Sequence, residues 1–160
     1  MASRLLLLRH GETESNVEGR TQGRRDVPLN DRGRRQADAV VDILRAHDPV
    51  AAYSSPSGRA QATLAPTAKE LGLAVITDER LSELDQGELD GLTISEMRGR
   101  YSEFLEQWWG DGVANARMPG GESMADAQQR MIAAAESIAG EHSDASVILA
   151  SHNLALGALL

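Results

Sequence analysis

The sequence contains no cysteine, and this absence excludes several kinds of chemistry. Without cysteine there is no disulfide framework, no thiolate metal site and no cysteine nucleophile. Long apolar runs are also missing: the longest run near the amino terminus is the leucine stretch at residues 5–8, which is too short for a signal peptide or a membrane span. We therefore expect a cytoplasmic protein with no membrane partner.

Aromatic residues are scarce, and the overall charge is acidic. The 160 residues include two Trp, two Tyr and one Phe, and the formal net charge is −8. Nucleic-acid binding needs a basic surface and often uses stacking aromatics, so we expect no nucleic-acid partner, and the pair Trp108-Trp109 is better explained as core or pocket wall. The first 40 residues differ, with eight arginines against six acidic residues. This local excess of arginine favours a small anionic ligand.

Short apolar segments alternate with helical patterns along the chain. The predicted strands are residues 5–8, 51–53, 74–77 and 146–150. Five helices are predicted. The first is capped by Asn30 and includes Ala37, Val40, Val41 and Leu44, and the second spans 59–71, where Pro66 would remove a backbone hydrogen bond. The others follow the capping box Thr93/Glu96, span 101–109 and follow the capping box Ser123/Asp126. This alternation predicts an α/β fold, a three-layer sandwich with a mostly parallel central sheet and helices on both faces.

Polar residues directly follow three of the predicted strands. Arg9 and His10 follow the first strand, the second strand ends in Ser54-Ser55 and leads toward Arg59, and Ser151-His152 follow the last. In parallel sheets, functional groups gather beyond the carboxyl ends of the strands. We therefore expect these residues to meet at one edge of the sheet.

Two arginines and two histidines at one site suit a bound phosphate. Arginine presents a planar fork to phosphate, and the two histidines can supply a nucleophile and a hydrogen-bond donor. Because burying a cation is costly unless it is paired, we expect Arg9 to be largely buried around a bound anion.

Each of these residues also has a purely structural explanation. A histidine at a strand end is more often a structural hydrogen-bonding group than a catalyst. His47 and His142 lie near predicted helix carboxyl ends, where the helix dipole accounts for them. The other arginines of the first 40 residues that we singled out are expected to form a solvated face; they are Arg20, Arg24, Arg25, Arg32, Arg34 and Arg35.

Five motifs follow one another along the chain: LLLLRHGETESN, SSPSGRAQAT, RLSELDQGELDGLT, PGGES and ILASHN. In this order they resemble the histidine phosphatase superfamily, the phosphoglycerate-mutase-like proteins, from Leu5 to the end of the chain. The segment GELDG matches a usual turn of that family only in part, at Glu88 and Gly91.

The resemblance implies a role for each matching residue and implies no metal or cofactor. His10 would take the phosphoryl group as a phosphohistidine, and Glu83 would protonate the leaving group and then activate water. Arg9, Arg59 and His152 would surround the phosphoryl group. Further phosphate contacts are implied for Asn16 and for a loop at Gln22 and Gly23 that closes on the phosphate.

This chemistry sets two physical requirements. His10 must be neutral at its attacking nitrogen, so a backbone carbonyl should hold the proton of the other nitrogen. Glu83 must be protonated when the leaving group departs, which requires a raised pKa. Glu83 could also be a solvated loop carboxylate, but the neighbouring Leu81 and Leu84 favour partial burial.

Two features depart from the pattern of the family. Asn153 stands where many members carry glycine, which changes the local turn or adds a donor to the pocket. The usual final strand and helix are missing, and the chain stops in an apolar LALGALL segment that resembles the first turns of a helix. We therefore expect a single domain over residues 1–160 that lacks its carboxyl-terminal strand and helix.

Four functions are weighed on this basis. The leading one is a metal-independent phosphomonoesterase that acts on a small phosphorylated metabolite; the protein could form a homodimer. A cofactor-dependent phosphoglycerate mutase is disfavoured because the segment at residues 95–118 is short and its basic residues are only Arg98, Arg100 and Arg117. A non-catalytic phosphate-binding module on the same fold is the third. A metal-dependent hydrolase is poorer still, since no HExxH motif or carboxylate cluster occurs.

Overall fold

The central sheet is parallel and has four strands within residues 3–160, the part of the chain that the computed structural model describes. The strands are β1 (Arg4–Arg9), β2 (Pro49–Ser54), β3 (Val75–Thr77) and β4 (Ser146–Ser151). The sheet order is β1-β4-β2-β3, so β4 lies between β1 and β2. This order brings the carboxyl ends of β1, β4 and β2 side by side.

Helices connect the strands. They are α1 (Glu14–Val17), α2 (Asp31–Ala39), α3 (Val41–Arg45), α4 (Gly58–Leu71), α5 (Ile94–Arg100), α6 (Ser102–Trp109), α7 (Met124–Glu141) and α8 (Asn153–Leu159). Two short 3-10 turns, Glu79–Leu81 and Gly87–Leu89, lie between β3 and α5. None of the helices within residues 3–160 is both long enough and apolar enough to cross a membrane.

Helices cover both faces of the sheet, and the residues of β4 show why. Val147 and Leu149 point to one face, where they pack with α7 residues such as Met131. Ile148 and Ala150 point to the other face, where they pack with α4 through Leu64. Alternate side chains of a strand point to opposite faces, so a strand that is apolar at every position is buried from both sides. The predicted three-layer α/β architecture is confirmed.

The predicted helices are present, with one interruption. Thr93 and Ser123 form the predicted capping boxes with Glu96 and Asp126. The helix capped by Asn30 is divided into α2 and α3 at Val40, whose ψ of −9° departs from the value of about −42° in a regular α-helix. The helix α4 continues through Pro66 without a break.

The leucine stretch of β1 is less buried than its sequence suggests. Leu8 is buried, but Leu5, Leu6 and Leu7 are only half-buried. The reason is the position of β1 at an edge of the sheet, where it pairs with β4 alone.

The two tryptophans have different surroundings. Trp108 is half-buried and packs against Phe104, with 5.6 Å between ring centroids. Trp109 is 57% exposed, and the Arg98 guanidinium lies 5.8 Å from the centroid of its ring. The interpretation as core or pocket wall therefore fails for Trp109, because the ring at the end of α6 points away from the core.

A close contact between two glycines positions the loop that follows β1. A Cβ atom on Gly11 would lie 2.6 Å from the carbonyl oxygen of Gly33, and a Cβ atom on Gly33 would collide with the carbonyl oxygen of Glu12. The loop after His10 therefore lies directly on the first turn of α2, and only glycine fits at this contact.

This contact generates a stability prediction. Gly33→Ala should lower the free energy of unfolding by about 1–3 kcal/mol, because the new methyl group meets backbone atoms that cannot move aside cheaply. The matched control is Gly99→Ala in α5, where no atom lies within 4 Å of the new methyl group. That variant should be stabilised by about 0.4–1 kcal/mol, since alanine favours a helix and restricts the unfolded chain. Urea unfolding of both variants measures the difference, and equal shifts would contradict the steric explanation.

Candidate active site

His10 lies just beyond β1, and a backbone carbonyl holds one of its ring nitrogens. Its Nδ1 is 2.7 Å from the carbonyl oxygen of Gly11, so Nδ1 carries the proton and Nε2 keeps its lone pair. Burial lowers the pKa of His10 to about 4, and the positive charges of Arg59 and Arg9 add to the effect. The imidazole is therefore neutral near pH 7, as the sequence-based requirement demands.

His152 follows β4 and is fully buried beside His10. The two ring centroids are 5.2 Å apart. The Nε2 atom of His152 lies 2.8 Å from the hydroxyl oxygen of Ser55, and its Nδ1 atom is buried without a hydrogen-bond partner among the described residues. Burial lowers the pKa of His152 to about 2, helped by Arg59. If Ser55 donates to Nε2, the proton of the neutral ring is on Nδ1.

Arg59, in the first turn of α4, is a buried cation with 1% exposure. It donates from Nη1 to the carbonyl oxygen of Arg25 at 2.6 Å and from Nη2 to that of Gly23 at 3.0 Å. It makes no salt bridge with any carboxylate of residues 3–160, and its Nε has no partner there. Burial lowers the pKa of Arg59, although Glu83, at longer range, opposes this. A buried guanidinium with donors in reserve is suited to an anionic ligand.

Glu83 is also buried, with 5% exposure. Its carboxyl group accepts hydrogen bonds from three backbone amides: Leu84 at 2.8 Å and Ala155 at 2.9 Å on Oε1, and Leu154 at 3.2 Å on Oε2. Burial raises the pKa of Glu83, while these amides and Arg59 oppose the rise. The raised pKa and the burial agree with the sequence-based expectation and exclude a solvated loop carboxylate.

Arg9 differs from its prediction, because its side chain is exposed rather than largely buried. The cause is again the edge position of β1, where Leu8 points into the core and the next side chain points to the opposite side. Arg9 lines a cleft of about 400 Å³ together with His10 and Asn16. Its charge contributes to the lowered pKa values of both His10 and His152, so Arg9 belongs to the same electrostatic environment.

Asn16 and Gln22 both bond to Thr13, which is fully buried. The Oδ1 atom of Asn16 accepts from the backbone amide of Thr13 at 3.1 Å, which completes the capping box of α1. The Oε1 atom of Gln22 accepts from the Thr13 hydroxyl at 2.8 Å. This second bond turns the amide nitrogen of Gln22 inward, where it is buried without a partner among the described residues.

Gly23 is held firmly by the segment that follows Glu83. Its backbone amide donates to Oδ1 of Asp90 at 2.9 Å, and the amide of Arg25 donates to Oδ2 at 3.0 Å. A Cβ atom on Gly23 would lie 2.9 Å from the backbone nitrogen of Gln86, so glycine is needed here. The loop at Gln22 and Gly23 is thus anchored by the protein's own hydrogen bonds and packing.

Asn153 and the remaining sequence candidates lie outside this group. Asn153 is exposed as the first residue of α8 and makes no hydrogen bond through its side chain within residues 3–160. His47 is exposed, and His142 contacts the hydroxyl of Tyr53 at 3.0 Å. Of the arginines expected to form a solvated face, Arg20 is an exception, since it is half-buried and bonds to the carbonyl oxygen of Gly91.

Ser55, one of the polar residues at the strand ends, bonds to His152. Two other contributing residues, Asp90 and Thr63, were not singled out by sequence reasoning. Asp90 orders the loop at Gly23. The Thr63 hydroxyl accepts from the amide of Gly11 at 2.9 Å and donates to the carbonyl oxygen of Arg59 at 2.7 Å. Its spacing of four residues from Arg59 on one helix is a signal that could have found Thr63.

The arrangement brings together a neutral imidazole with a free lone pair, a second neutral imidazole, a buried cation and a buried carboxyl group. Three of the buried polar atoms without a partner belong to Gln22, Arg59 and His152. All three atoms can donate a hydrogen bond when His152 is protonated on Nδ1. The site can therefore hold an oxyanion next to a nucleophile and an acid.

Comparison with known proteins agrees with this chemistry. A probable phosphoglycerate mutase from Yersinia pestis is 38% identical over 154 residues, which cover 96% of this chain and 71% of the relative. The solved structure of YhfR from Bacillus stearothermophilus superposes with a TM-score of 0.91 at 35% identity, covering 99% of this chain and 78% of that one. A mycobacterial glucosyl-3-phosphoglycerate phosphatase, solved with VO3, has a TM-score of 0.86 at 35% identity and covers 98% and 79% of the two chains.

The sequence also matches a family profile over residues 5–160, which is almost its whole length. That profile describes branch 1 of the histidine phosphatase superfamily. The match spans β1 to α8 and therefore includes every element that contributes to the site. The resemblance inferred from the five motifs is confirmed, and the chain belongs to the histidine phosphatase superfamily, branch 1.

Proposed function

We propose that this protein is a metal-independent phosphomonoester hydrolase that acts on a small phosphorylated metabolite through a phosphohistidine intermediate. The observation that carries the proposal is the state of His10. Its Nδ1 proton is held by the carbonyl oxygen of Gly11, and its pKa is lowered by burial and by the charge of the buried Arg59. Its ring lies 5.2 Å from that of His152, centroid to centroid. A neutral imidazole with a free lone pair next to a buried cation is suited to attack a phosphoryl group.

In the first step, Nε2 of His10 attacks phosphorus, and the bond from phosphorus to the ester oxygen breaks. The departing oxygen takes the proton of the Glu83 carboxyl group and leaves as an alcohol. The charge on the three equatorial oxygens is stabilised by Arg59, by Arg9 and by the donors of Gln22 and His152.

In the second step, water attacks phosphorus and the bond from phosphorus to Nε2 breaks. Glu83, now a carboxylate, takes a proton from the attacking water. Inorganic phosphate leaves, His10 regains its neutral lone pair, and Glu83 is again protonated. Burial of Glu83 supports this cycle, because a raised pKa favours the protonated form at the start of each turnover.

The segment at residues 95–118 favours hydrolysis over a mutase reaction. A mutase that moves phosphate on a carboxylate-bearing substrate needs cations to hold that carboxylate. The three arginines of residues 95–118 are engaged elsewhere: Arg98 lies over Trp109, Arg100 lies over Tyr101, and Arg117 forms an ion pair with Asp126 at 2.6 Å.

A mutase remains the second candidate because the Yersinia pestis relative carries that name. Conversion of 3-phosphoglycerate to its 2-isomer without phosphate release would favour it.

A second cleft, of about 330 Å³, offers space for the organic part of the substrate. Glu83 and His152 line it, together with three other charged residues and three serines: Arg24, Asp26, Glu79, Ser55, Ser57 and Ser82. Its volume lies at the lower end of the range for small-molecule sites, about 300–1,000 Å³. Small, polar phosphomonoesters fit this size and lining.

The first prediction concerns the nucleophile. In the presence of EDTA, wild-type protein should hydrolyse members of a panel of phosphomonoesters and release inorganic phosphate, and His10→Ala should lose at least about 10³-fold in rate. Brief reaction with a radiolabelled substrate should leave an acid-labile label on the wild type and none on His10→Ala. His47→Ala, a change of an exposed histidine, is the control. Equal rates for wild type and His10→Ala would remove His10 as nucleophile, and loss of all activity in EDTA would favour a metal mechanism.

The second prediction concerns the acid. Glu83→Gln should lower kcat/KM for glycerol phosphate by about 10²–10⁴-fold, because the alkoxide leaving group then lacks its proton donor. For p-nitrophenyl phosphate kcat/KM should change little, since p-nitrophenolate departs without protonation and kcat/KM reports the steps up to its departure. A similar loss for both esters would contradict a general-acid role of Glu83.

The third prediction concerns protonation of the histidines. With a pKa lowered to about 4, His10 should stay neutral as the pH falls from 7 to about 5 and take up a proton only near pH 4. Imidazole signals in NMR spectra, assigned through the His10→Ala variant, measure this directly in the free protein. A midpoint near the ordinary histidine value of about 6.5 would contradict the burial that the structure shows.

A further inference from the structure

The backbone that carries Glu83 is held by one arginine of α7. The Nη1 atom of Arg130 donates to the carbonyl oxygens of Arg80 at 2.8 Å and Ser82 at 2.7 Å, and its Nη2 atom donates to that of Glu83 at 3.2 Å. Three carbonyl groups of one short loop therefore point at a single guanidinium. The sequence places Arg130 47 residues from Glu83.

Glu122, of the PGGES motif, completes this arrangement. Its Oε1 accepts from Nε of Arg130 at 2.9 Å, and its Oε2 accepts from Nη2 at 2.9 Å, which is a bidentate pair. Oε2 also accepts from the backbone amide of Asp85 at 2.8 Å, and the amide of Glu122 donates to the carbonyl oxygen of Asp85 at 2.9 Å. We call Arg130 and Glu122 the clasp.

The clasp is shielded from solvent and charged. The side chains of Arg130 and Glu122 are only 16% and 21% exposed, so water competes weakly for their hydrogen bonds. Burial alone would raise the pKa of Glu122, but the hydrogen bonds from Arg130 and Asp85 outweigh it and leave the pKa below its usual value. Glu122 is therefore a carboxylate at neutral pH, and the pair remains charged.

The carboxyl group of Glu83 is supported from the opposite side by amides of α8. The clasp holds the main chain at residues 80–85, and α8 holds the side-chain end. Proton transfer requires the donor within about 2.6–3.2 Å of the ester oxygen, and a misplacement of about 1 Å costs on the order of 10²-fold in rate.

We propose that Arg130 and Glu122 are positioning residues for proton transfer by Glu83, acting through the backbone of residues 80–85. The inference rests on the proposed function, in which Glu83 is the general acid. In this proposal Glu122, and with it the PGGES motif, contributes to the reaction by positioning Glu83, without contact with the phosphoryl group.

The test compares two esters and two variants. Arg130→Met removes every side-chain donor of the clasp. The control, Arg45→Met, removes two exposed ion pairs of α3, with Asp42 and Glu70. Arg130→Met should lower kcat/KM for glycerol phosphate by about 10- to 100-fold and change it by less than about threefold for p-nitrophenyl phosphate. Arg45→Met should leave both values unchanged. An equal fall for both esters, or no fall, would overturn the inference.

A double-mutant cycle isolates the route of the effect. If Arg130 acts only through Glu83, Arg130→Met should cause no further loss of kcat/KM for glycerol phosphate in a Glu83→Gln background. Additive losses would overturn the inference. If Arg130→Met fails to fold, judged by circular dichroism, Glu122→Gln is measured instead and should show the same selective loss for glycerol phosphate.

The result separates this inference from the proposed function. Hydrolysis by the wild type with a phosphohistidine label, together with nonselective Arg130 and Glu122 variants, would overturn the clasp alone. If the wild type hydrolysed neither ester, the proposed function would be overturned, and this inference with it.

Discussion

Burial of the Arg59 guanidinium is the constraint on which the rest of the site depends. A buried cation is costly unless it is surrounded by acceptors, and Arg59 has no salt bridge within residues 3–160. The carbonyl oxygens of Gly23 and Arg25 take that place, so the main chain at residues 23–25 must turn its oxygens inward. Its amides then point outward, where Asp90 accepts two of them. One buried charge thereby determines the shape of the loop and links it to the segment after Glu83.

The same buried surroundings shift the pKa values of the titratable groups of the site. Burial disfavours charge on every group that it covers, so it lowers the pKa of His10 and His152 and raises that of Glu83. The charge of Arg59 strengthens the effect on the histidines and opposes it on Glu83. Neutral histidines with a protonated carboxyl group are the combination that an attack by nitrogen and a departure of oxygen require. Burial shifts the pKa of all three groups toward that combination.

The parts of the site that could be predicted from sequence are those that follow from topology. A parallel sheet brings strand ends to one edge, so His10 and His152 could be placed together without knowledge of any contact. Glu83 could be named only through a motif, because nothing in its local sequence shows the amides of α8 that receive it. Arg9 was misjudged since burial at an edge strand depends on neighbours that lie elsewhere in the chain. The clasp of Arg130 and Glu122 could not be predicted, because its acceptors are backbone carbonyls about 50 residues away, and a carbonyl carries no sequence signal.

Electrostatic stabilisation of a phosphoryl group requires donors that do not reorganise during the reaction, and the connections in this site meet that requirement. Arg130 and Glu122 hold residues 80–85. The segment that follows is bonded to the loop before Arg59 through Asp90 and through the amide of Thr21, which donates to the carbonyl oxygen of Leu92 at 2.9 Å. The proposed phosphate-binding side and the proposed proton-donating side are therefore joined by hydrogen bonds rather than only by packing. Because the two sides share these bonds, a displacement of Glu83 would also disturb the carbonyl groups that accept from Arg59. The bonds that position the proposed proton donor therefore also hold the acceptors that compensate the buried charge of Arg59.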